Sequence, residues 1–139
     1  MTVPAAGYSG TPLPRKLGIA PGDRVLLIGA PDGFERSTLG PLPDVDVHRR
    51  AGRSPYDVVL AFAPDRRALA ARFGPASQRI TTAGGLWVAW PKKSSGMPTD
   101  LDDNVVREFG LASGLVDNKV CAIDATWSGL RFVVRLRDR

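Results

Sequence analysis

Three short stretches of the chain are continuously apolar, and they form the clearest pattern in the sequence. They are VLLIG at 25–29, VVLAF at 58–62 and LWVAW at 86–90. Runs of this length, rich in Val, Leu and aromatic residues, are typical of strands buried on both faces of a mainly parallel sheet. The pattern therefore predicts three central strands.

Two later segments, 119–124 and 131–136, mix apolar with charged residues and predict strands of a different kind. In RFVVRLR, alternation separates Phe132, Val134 and Leu136 from Arg131, Arg135 and Arg137. The ATWSGL segment between the two strands is too short for a crossover helix, so they should form an antiparallel hairpin. We expect one face of the last strand to be exposed to solvent.

Helix signals lie between the strands. TPLPRKLG has Thr11 as a predicted N-cap and Gly18 as a stop, which gives a short helix. PDRRALAARF starts a second helix at Pro64, with a buried stripe at Leu69, Phe73 and Ala76. In TDLDDNVVREFG, Thr99 and Asp102 match a capping box. The apolar face of this third helix would be Leu101, Val105 and Phe109, with Gly110 as its end.

These elements alternate, which predicts a layered α/β domain with a mainly parallel sheet and a C-terminal antiparallel hairpin. The length of 139 residues fits a single domain over 1–139, with 1–10 as a flexible segment. A weak strand is predicted at 45–48, and only RRAGRSPY separates His48 from Asp57. Since a parallel crossover usually needs about a dozen residues, this connection cannot contain a helix.

Charge and composition narrow the function classes. Nineteen Lys and Arg against fourteen Asp and Glu give a net charge of +5, which favours anionic partners. The arginine-rich composition is also typical of high-GC bacterial genomes, so the charge does not require such a partner. One cysteine and one histidine exclude an internal disulfide and a closed zinc site, and we expect no metal and no cofactor. Without a signal-peptide pattern or a long apolar window, we expect a cytoplasmic protein with no membrane contact.

The glycine turn after the first strand, YDVV, AGGLWVAW and the final hairpin resemble class I S-adenosylmethionine methyltransferases, which implies a truncated form of that Rossmann-like fold. A second resemblance spans nearly the whole chain. GYSGTPLPRKLGI, GDRVLLIGAPDGF, YDVVLAF, GGLWVAWPKKSSG and VREFGLASGLVDNKVCAIDATWSGLRFV are similar to a small bacterial family catalogued as domain of unknown function 3052. That family name implies no activity.

The methyltransferase resemblance predicts a cofactor loop of the form acidic-x-Gly-x-Gly-x-Gly. Gly29 and Gly33 match its outer glycines, but Leu27 replaces the acid and Pro31 replaces the middle glycine. An acidic residue normally ends the second strand and binds the ribose hydroxyls, and here only Asp46 is near. Part of the adenine pocket would come from the helix and strand missing between 48 and 57. The resemblance therefore implies the fold without an intact methyl-transfer site.

Ligands of open parallel sheets lie outside the carboxyl ends of the strands. GAPDG at 29–33, APD at 63–65 and PKKSSG at 91–96 should meet there. The candidate ligand-binding residues are Gly29, Asp32, Gly33, Lys92, Lys93, Ser94 and Ser95. The lysines could meet an anion, although the glycine spacing is not that of a P-loop, and a solvated loop is the alternative.

A secondary candidate site is formed by Asp124, Trp127 and Ser128. In the structural interpretation Asp124 accepts backbone N–H groups, Trp127 covers the end of the sheet, and Ser128 with Gly129 turns the chain. In the functional interpretation these side chains recognise a partner or ligand. His48 and Cys121 are interpreted as structural rather than catalytic.

Three functions stay open on the sequence alone. The leading hypothesis is a non-catalytic binding or regulatory module, with a small anionic ligand and homo-oligomer formation left open. The second is an enzyme acting on a small anionic metabolite or nucleotide at the loop 91–96. The third is nucleic-acid binding through Arg131, Arg135, Arg137 and Arg139. No catalytic residue is predicted.

Overall fold

A six-stranded sheet organises the chain, and the computed structural model describes residues 10–139. The strands are β1 Arg24–Ile28, β2 Asp46–His48, β3 Tyr56–Phe62, β4 Ile80–Pro91, β5 Leu115–Ala122 and β6 Trp127–Val134. Their spatial order is β2-β1-β3-β4-β6-β5. The first four are parallel to one another, whereas β6 is antiparallel to both β4 and β5. The predicted α/β sheet with a C-terminal hairpin is confirmed. Of the predicted flexible segment 1–10, residues 1–9 lie outside those described.

Three α-helices cover the sheet: α1 Leu13–Leu17, α2 Arg66–Ser77 and α3 Asp103–Ala112. A π-helical turn at Glu35–Leu39 and 3-10 turns at Lys93–Ser95 and Leu136–Asp138 complete the elements. Helices α2 and α3 pack on one face, where the predicted stripe of Leu69, Phe73 and Ala76 is buried. Helix α1 packs on the other face through Leu17. Between 48 and 56 the chain forms no helix, as predicted.

The two tryptophans of β4 belong to opposite cores, because residues three apart in a strand face opposite sides of the sheet. Trp87 is fully buried on the α1 face and its Nε1 donates to Leu17 O at 3.0 Å. Trp90 is buried on the α2 and α3 face. Because β4 is covered on both faces, the candidate loop at 91–96 leaves from a strand buried at the centre of the sheet.

Helix boundaries differ from the prediction where local chemistry competes. Asp102, not Thr99, caps α3, because its carboxylate accepts from Val105 N–H at 2.9 Å. Gly110 lies inside α3 rather than at its end, and the position suits glycine because a Cβ there would overlap the Phe132 ring. Helix α1 is likewise capped one residue later than predicted, at Pro12.

The last strand is also shifted. It ends at Val134, and Leu136 is 81% exposed in the 3-10 turn that follows. Leu130 and Phe132 are buried on one face of β6 and Val133 on the other, so the expectation of a solvent-exposed face on this strand is wrong. The reason is that α3 packs against one face of β6 while Trp87 and Ile123 lie against Gly129 on the other, which the alternation in RFVVRLR does not reveal.

Candidate functional site

The three predicted loops follow neighbouring parallel strands and lie at one edge of the sheet, here called the carboxyl edge. They open into different cavities. One of about 430 Å³ is lined by Asp32, Gly33, Glu35, Arg36 and Arg49. Another of about 420 Å³ has Lys92, Lys93, Asp102, Asp103, Asn104 and Ser128 among its lining residues. The segment 63–65 lines neither, because Ala63 is buried and Asp65 caps α2 through Ala68 N–H.

Arg49 directly follows β2 and forms hydrogen bonds to the glycine loop at 29–33. Its Nε and Nη2 donate to the two carboxylate oxygens of Glu35 at 2.8 and 2.7 Å. The same guanidinium donates to Ala30 O at 3.0 Å and Pro31 O at 2.8 Å. The hydrogen bonds between Arg49 and Glu35 lower the pKa of Glu35 from 4.5 to about 2. The same bonds raise the pKa of Arg49. An arginine committed to protein acceptors thus stands where the ribose-binding acid was expected.

Asp46 cannot supply that acid. It lies opposite Arg24, the first residue of β1, and therefore at the other edge of the sheet. Its carboxylate pairs with Arg24 at 3.1 Å and with His48 Nε2 at 2.9 Å. His48 Nδ1 in turn lies 2.7 Å from the Tyr56 hydroxyl. The histidine is held between two protein partners, which agrees with its predicted structural role.

Arg72 of α2 fills the crevice between β1 and β3. Its guanidinium donates to Phe62 O and lies directly against Gly29, whose φ is +65°. A Cβ at position 29 would overlap this guanidinium. The chain continues from β1 to β2 on one side of this crevice and from β3 to β4 on the other. A ligand of an open sheet usually binds where the strand order reverses in this way.

Sequence reasoning missed Arg72. A weak signal was available, because Arg72 adjoins the buried Phe73 on the helix that returns from β3. The residues of this edge do not fit S-adenosylmethionine in the binding mode that the resemblance implies. The glycine crevice holds Arg72, and the end of β2 carries a cation instead of an acid.

The lysine loop is a compact turn. Lys92 N–H donates to Thr126 O at 2.8 Å, and Ser95 Oγ donates to Lys92 O at 2.6 Å. Ser95 also accepts from Met97 N–H at 3.2 Å, so its hydroxyl is used within the turn, while Ser94 is exposed. Lys92 and Lys93 line their cavity together with two aspartates. The cavity is balanced in charge rather than basic.

The secondary candidates at the hairpin have structural roles, as their contacts within the protein show. Asp124 accepts from Thr126 N–H at 2.8 Å and Trp127 N–H at 2.9 Å, as predicted. Trp127 is 8% exposed and packs edge-to-face on Phe62 with the ring centroids 5.0 Å apart. Ser128 and Gly129 lie within β6 and do not turn the chain, because the tight turn is made by the residues before Trp127.

The C-terminal arginines do not form a continuous row. Arg131 lies in β6, Arg135 donates to Leu111 O at 3.2 Å and Arg139 donates to Val134 O at 3.0 Å. In addition, no three His, Cys, Asp or Glu side chains of residues 10–139 converge as a metal site would require. Within the same range, no helix is long and apolar enough to cross a membrane.

Solved structures with the same fold include methyltransferases and a protein with bound S-adenosylmethionine. A TehB-like methyltransferase from Corynebacterium glutamicum superposes with a TM-score of 0.56 at 9% identity, covering 94% of this chain and 91% of its own. Aeropyrum pernix fibrillarin with natively bound S-adenosylmethionine has a TM-score of 0.56 at 15% identity, covering 91% and 70%. The ribosomal protein L11 methylase from Lactobacillus delbrueckii subsp. bulgaricus gives 0.54 at 10% identity, covering 88% and 74%.

No protein-family model and no curated protein matches this chain. At these identities the structural likeness establishes the fold alone. The chain therefore has a Rossmann-like methyltransferase fold, with a six-stranded, mostly parallel sheet and an antiparallel pair.

Proposed function

We propose that this chain is a non-catalytic, cytoplasmic binding or regulatory module on a methyltransferase-like fold. The observation that carries the proposal is the guanidinium of Arg72 in the crevice beside Gly29. A glycine in this loop usually lets the backbone approach a ligand, whereas here it makes room for a side chain of the protein itself. A cofactor in that crevice would have to displace Arg72 and leave Phe62 O without this donor.

The extended sequence blocks quoted above support a finer proposal, that the chain groups with the bacterial family called domain of unknown function 3052. Within that proposal the pairs Gly29 with Arg72 and Glu35 with Arg49 are built features of the fold. These pairs occupy the part of the carboxyl edge where a cofactor would bind, so the module would bind its ligand at another surface.

The test is the binding of S-adenosylmethionine and S-adenosylhomocysteine, measured by calorimetry, with methyl transfer to cell extract measured in parallel. We expect neither binding nor transfer for the unaltered protein. Arg72→Ala should gain weak binding, because it empties the crevice. Arg67→Ala, an exposed arginine on the same helix, is the matched control and should gain none. Methyl transfer that Gly29→Val abolishes would refute the non-catalytic function, and saturable one-to-one binding by the unaltered protein would refute the closure of the crevice by Arg72.

One observation favours an enzyme as a second candidate. The cavity beside the lysine loop combines Lys92 and Lys93 with Asp102, Asp103 and Asn104. This mixture suits a zwitterionic metabolite better than a simple anion. A thermal-shift screen with amino acids and nucleotides tests it, with Lys92→Ala combined with Lys93→Ala as the variant that should lose any shift. The absence of a shift across the panel would remove this candidate.

A further inference from the structure

A basic cleft lies on the face of the sheet opposite α2 and α3, between α1 and β5. Its volume is about 400 Å³, within the usual range of small-ligand sites. The lining residues are Thr11, Arg15, Lys16, Lys119, Val120, Cys121 and Ala122. We call this the α1–β5 cleft. It contains three cationic side chains and no carboxylate, unlike the two cavities at the carboxyl edge.

Two cations of this cleft, Arg15 and Lys119, and the neighbouring Arg131 have no carboxylate partner among residues 10–139. The first nine residues, MTVPAAGYS, contain no acidic side chain that could add one. Like charges held together without a counter-charge lower stability, so their retention is typical of a site that binds an anion.

A neighbouring arginine extends the same charge. Arg131 pairs with Lys119 across β5 and β6, so their side chains leave the same face of the sheet. Its Nε is buried and has no hydrogen-bond partner among the described residues. Burial, together with Arg139, lowers the pKa of Arg131. Arg131 therefore adds a partly buried positive charge next to the cleft.

The lysine of β5 is held in place. Lys119 Nζ donates to Lys16 O at 2.9 Å, which fixes the ammonium against α1. An ammonium has three N–H groups, so two are left for a ligand. Because Lys119 is already positioned, an anion that meets it pays less of the ordering entropy that a mobile surface lysine requires.

We infer that the α1–β5 cleft binds a small phosphate-bearing metabolite. The guanidinium of Arg15 and the lysine ammonium groups match phosphate oxygens in charge and donor number. Among residues 10–139 the lining has no aromatic side chain on which a base could stack. These features favour a compact anion over a nucleic-acid strand. The inference deepens the proposed binding function by naming its site and ligand class.

Cys121 offers a direct readout, because it lines the cleft and is the only cysteine of the chain. Burial raises the pKa of this thiol, and Lys16 and Lys119 oppose that rise. An anion in the cleft would both screen the lysines and block access to Sγ. We therefore expect inorganic pyrophosphate to slow alkylation of Cys121 several-fold relative to sodium chloride at equal ionic strength.

The protection ratio is compared among the unaltered protein, the double variant Arg15→Gln with Lys119→Gln, and Arg67→Gln as a control on the opposite face. Protection should be lost in the double variant and kept in the control. Calorimetry should show one pyrophosphate per chain for the unaltered protein.

Three results would overturn the inference: no protection by millimolar pyrophosphate, equal protection in the double variant, or protection only by a single-stranded oligonucleotide. None of these bears on S-adenosylmethionine. Failure of the cleft and failure of the proposed non-catalytic function are thus distinguishable, since the latter is read from cofactor binding at Gly29.

Discussion

The carboxyl edge and the α1–β5 cleft both contain prominent cationic side chains, but these differ in their partners. At the carboxyl edge Arg49 meets Glu35 and two carbonyl oxygens, and Arg72 meets Phe62 O. In the cleft Lys119 meets only a carbonyl oxygen, and neither Lys119 nor Arg15 forms an ion pair within residues 10–139. Position in the fold favours the first region as a ligand site, whereas charge balance favours the second.

The difference separates two roles of a cation. A guanidinium whose donors are satisfied by protein acceptors contributes to the folded structure, and removing it costs stability. A cation without a counter-charge contributes little or opposes folding until a ligand arrives. The same type of substitution should therefore act with opposite sign in the two regions.

The largest effect is expected at the glycine crevice. Gly29→Ala places a Cβ against Arg72 on a backbone with φ of +65°, and should lower the free energy of unfolding by about 2 kcal/mol. Gly33→Ala is the matched control, because its φ is +75° but nothing lies within 4 Å of the added Cβ. It should cost only the backbone strain, about 1 kcal/mol. Urea unfolding measures both.

A double-mutant cycle isolates the contact. In the Arg72→Ala background the cost of Gly29→Ala should fall to that of the Gly33 control. An unchanged cost would mean that Arg72 does not occupy the crevice in solution, and the contrast between the two regions would then lose its main support.

The next effect is at Arg49. Arg49→Met removes two bonds to Glu35 and two to the glycine loop, and should lower the free energy of unfolding by about 1 kcal/mol, since both side chains are partly exposed. Arg50→Met changes a neighbouring exposed arginine and should be close to neutral. Equal effects at the two positions would show that the fork of Arg49 is not formed.

The acid range tests the same pair without a further mutation. Because the pKa of Glu35 is lowered from 4.5 to about 2, its contribution is complete above pH 4.5 and is lost as the pH falls toward 2. The stability difference between the unaltered protein and Arg49→Met should therefore shrink over that interval. In Glu35→Gln the effect of Arg49→Met should not vary with pH, and chemical unfolding at several pH values measures both series.

These contrasts also show what the sequence could predict. Leu69, Phe73 and Ala76 recur at helical spacing and face the sheet, so their burial follows from a local pattern. The loops at 29–33 and 91–96 were predicted at one edge because parallel strands share their carboxyl ends. That much of the fold depends on periodicity and strand direction alone.

The partners of the cations could not be predicted in this way. Arg49 meets Glu35 fourteen positions away, and Lys119 meets Lys16 across 103 positions. Neither spacing is periodic, because each depends on which strands become neighbours in space. The adjacent lysines at 92–93 predict an anion site as a local motif, yet in the structure they line a cavity together with two aspartates. The local charge pattern therefore indicated the cavity beside the lysine loop, whereas the cations without a carboxylate partner lie in the α1–β5 cleft.

The smallest expected effect has the opposite sign. Arg131→Met replaces a half-buried guanidinium, whose Nε has no partner among residues 10–139, by an apolar side chain of similar length. It removes a desolvated charge beside Lys119 and should raise the free energy of unfolding by about 0.5 kcal/mol at low salt. Added salt should reduce this gain, because it screens the repulsion that the substitution relieves. Thermal unfolding of both proteins at two salt concentrations measures the effect. If Arg131→Met instead destabilises the chain as Arg49→Met does, then Arg131 has a partner in solution and the charge beside the cleft is balanced after all.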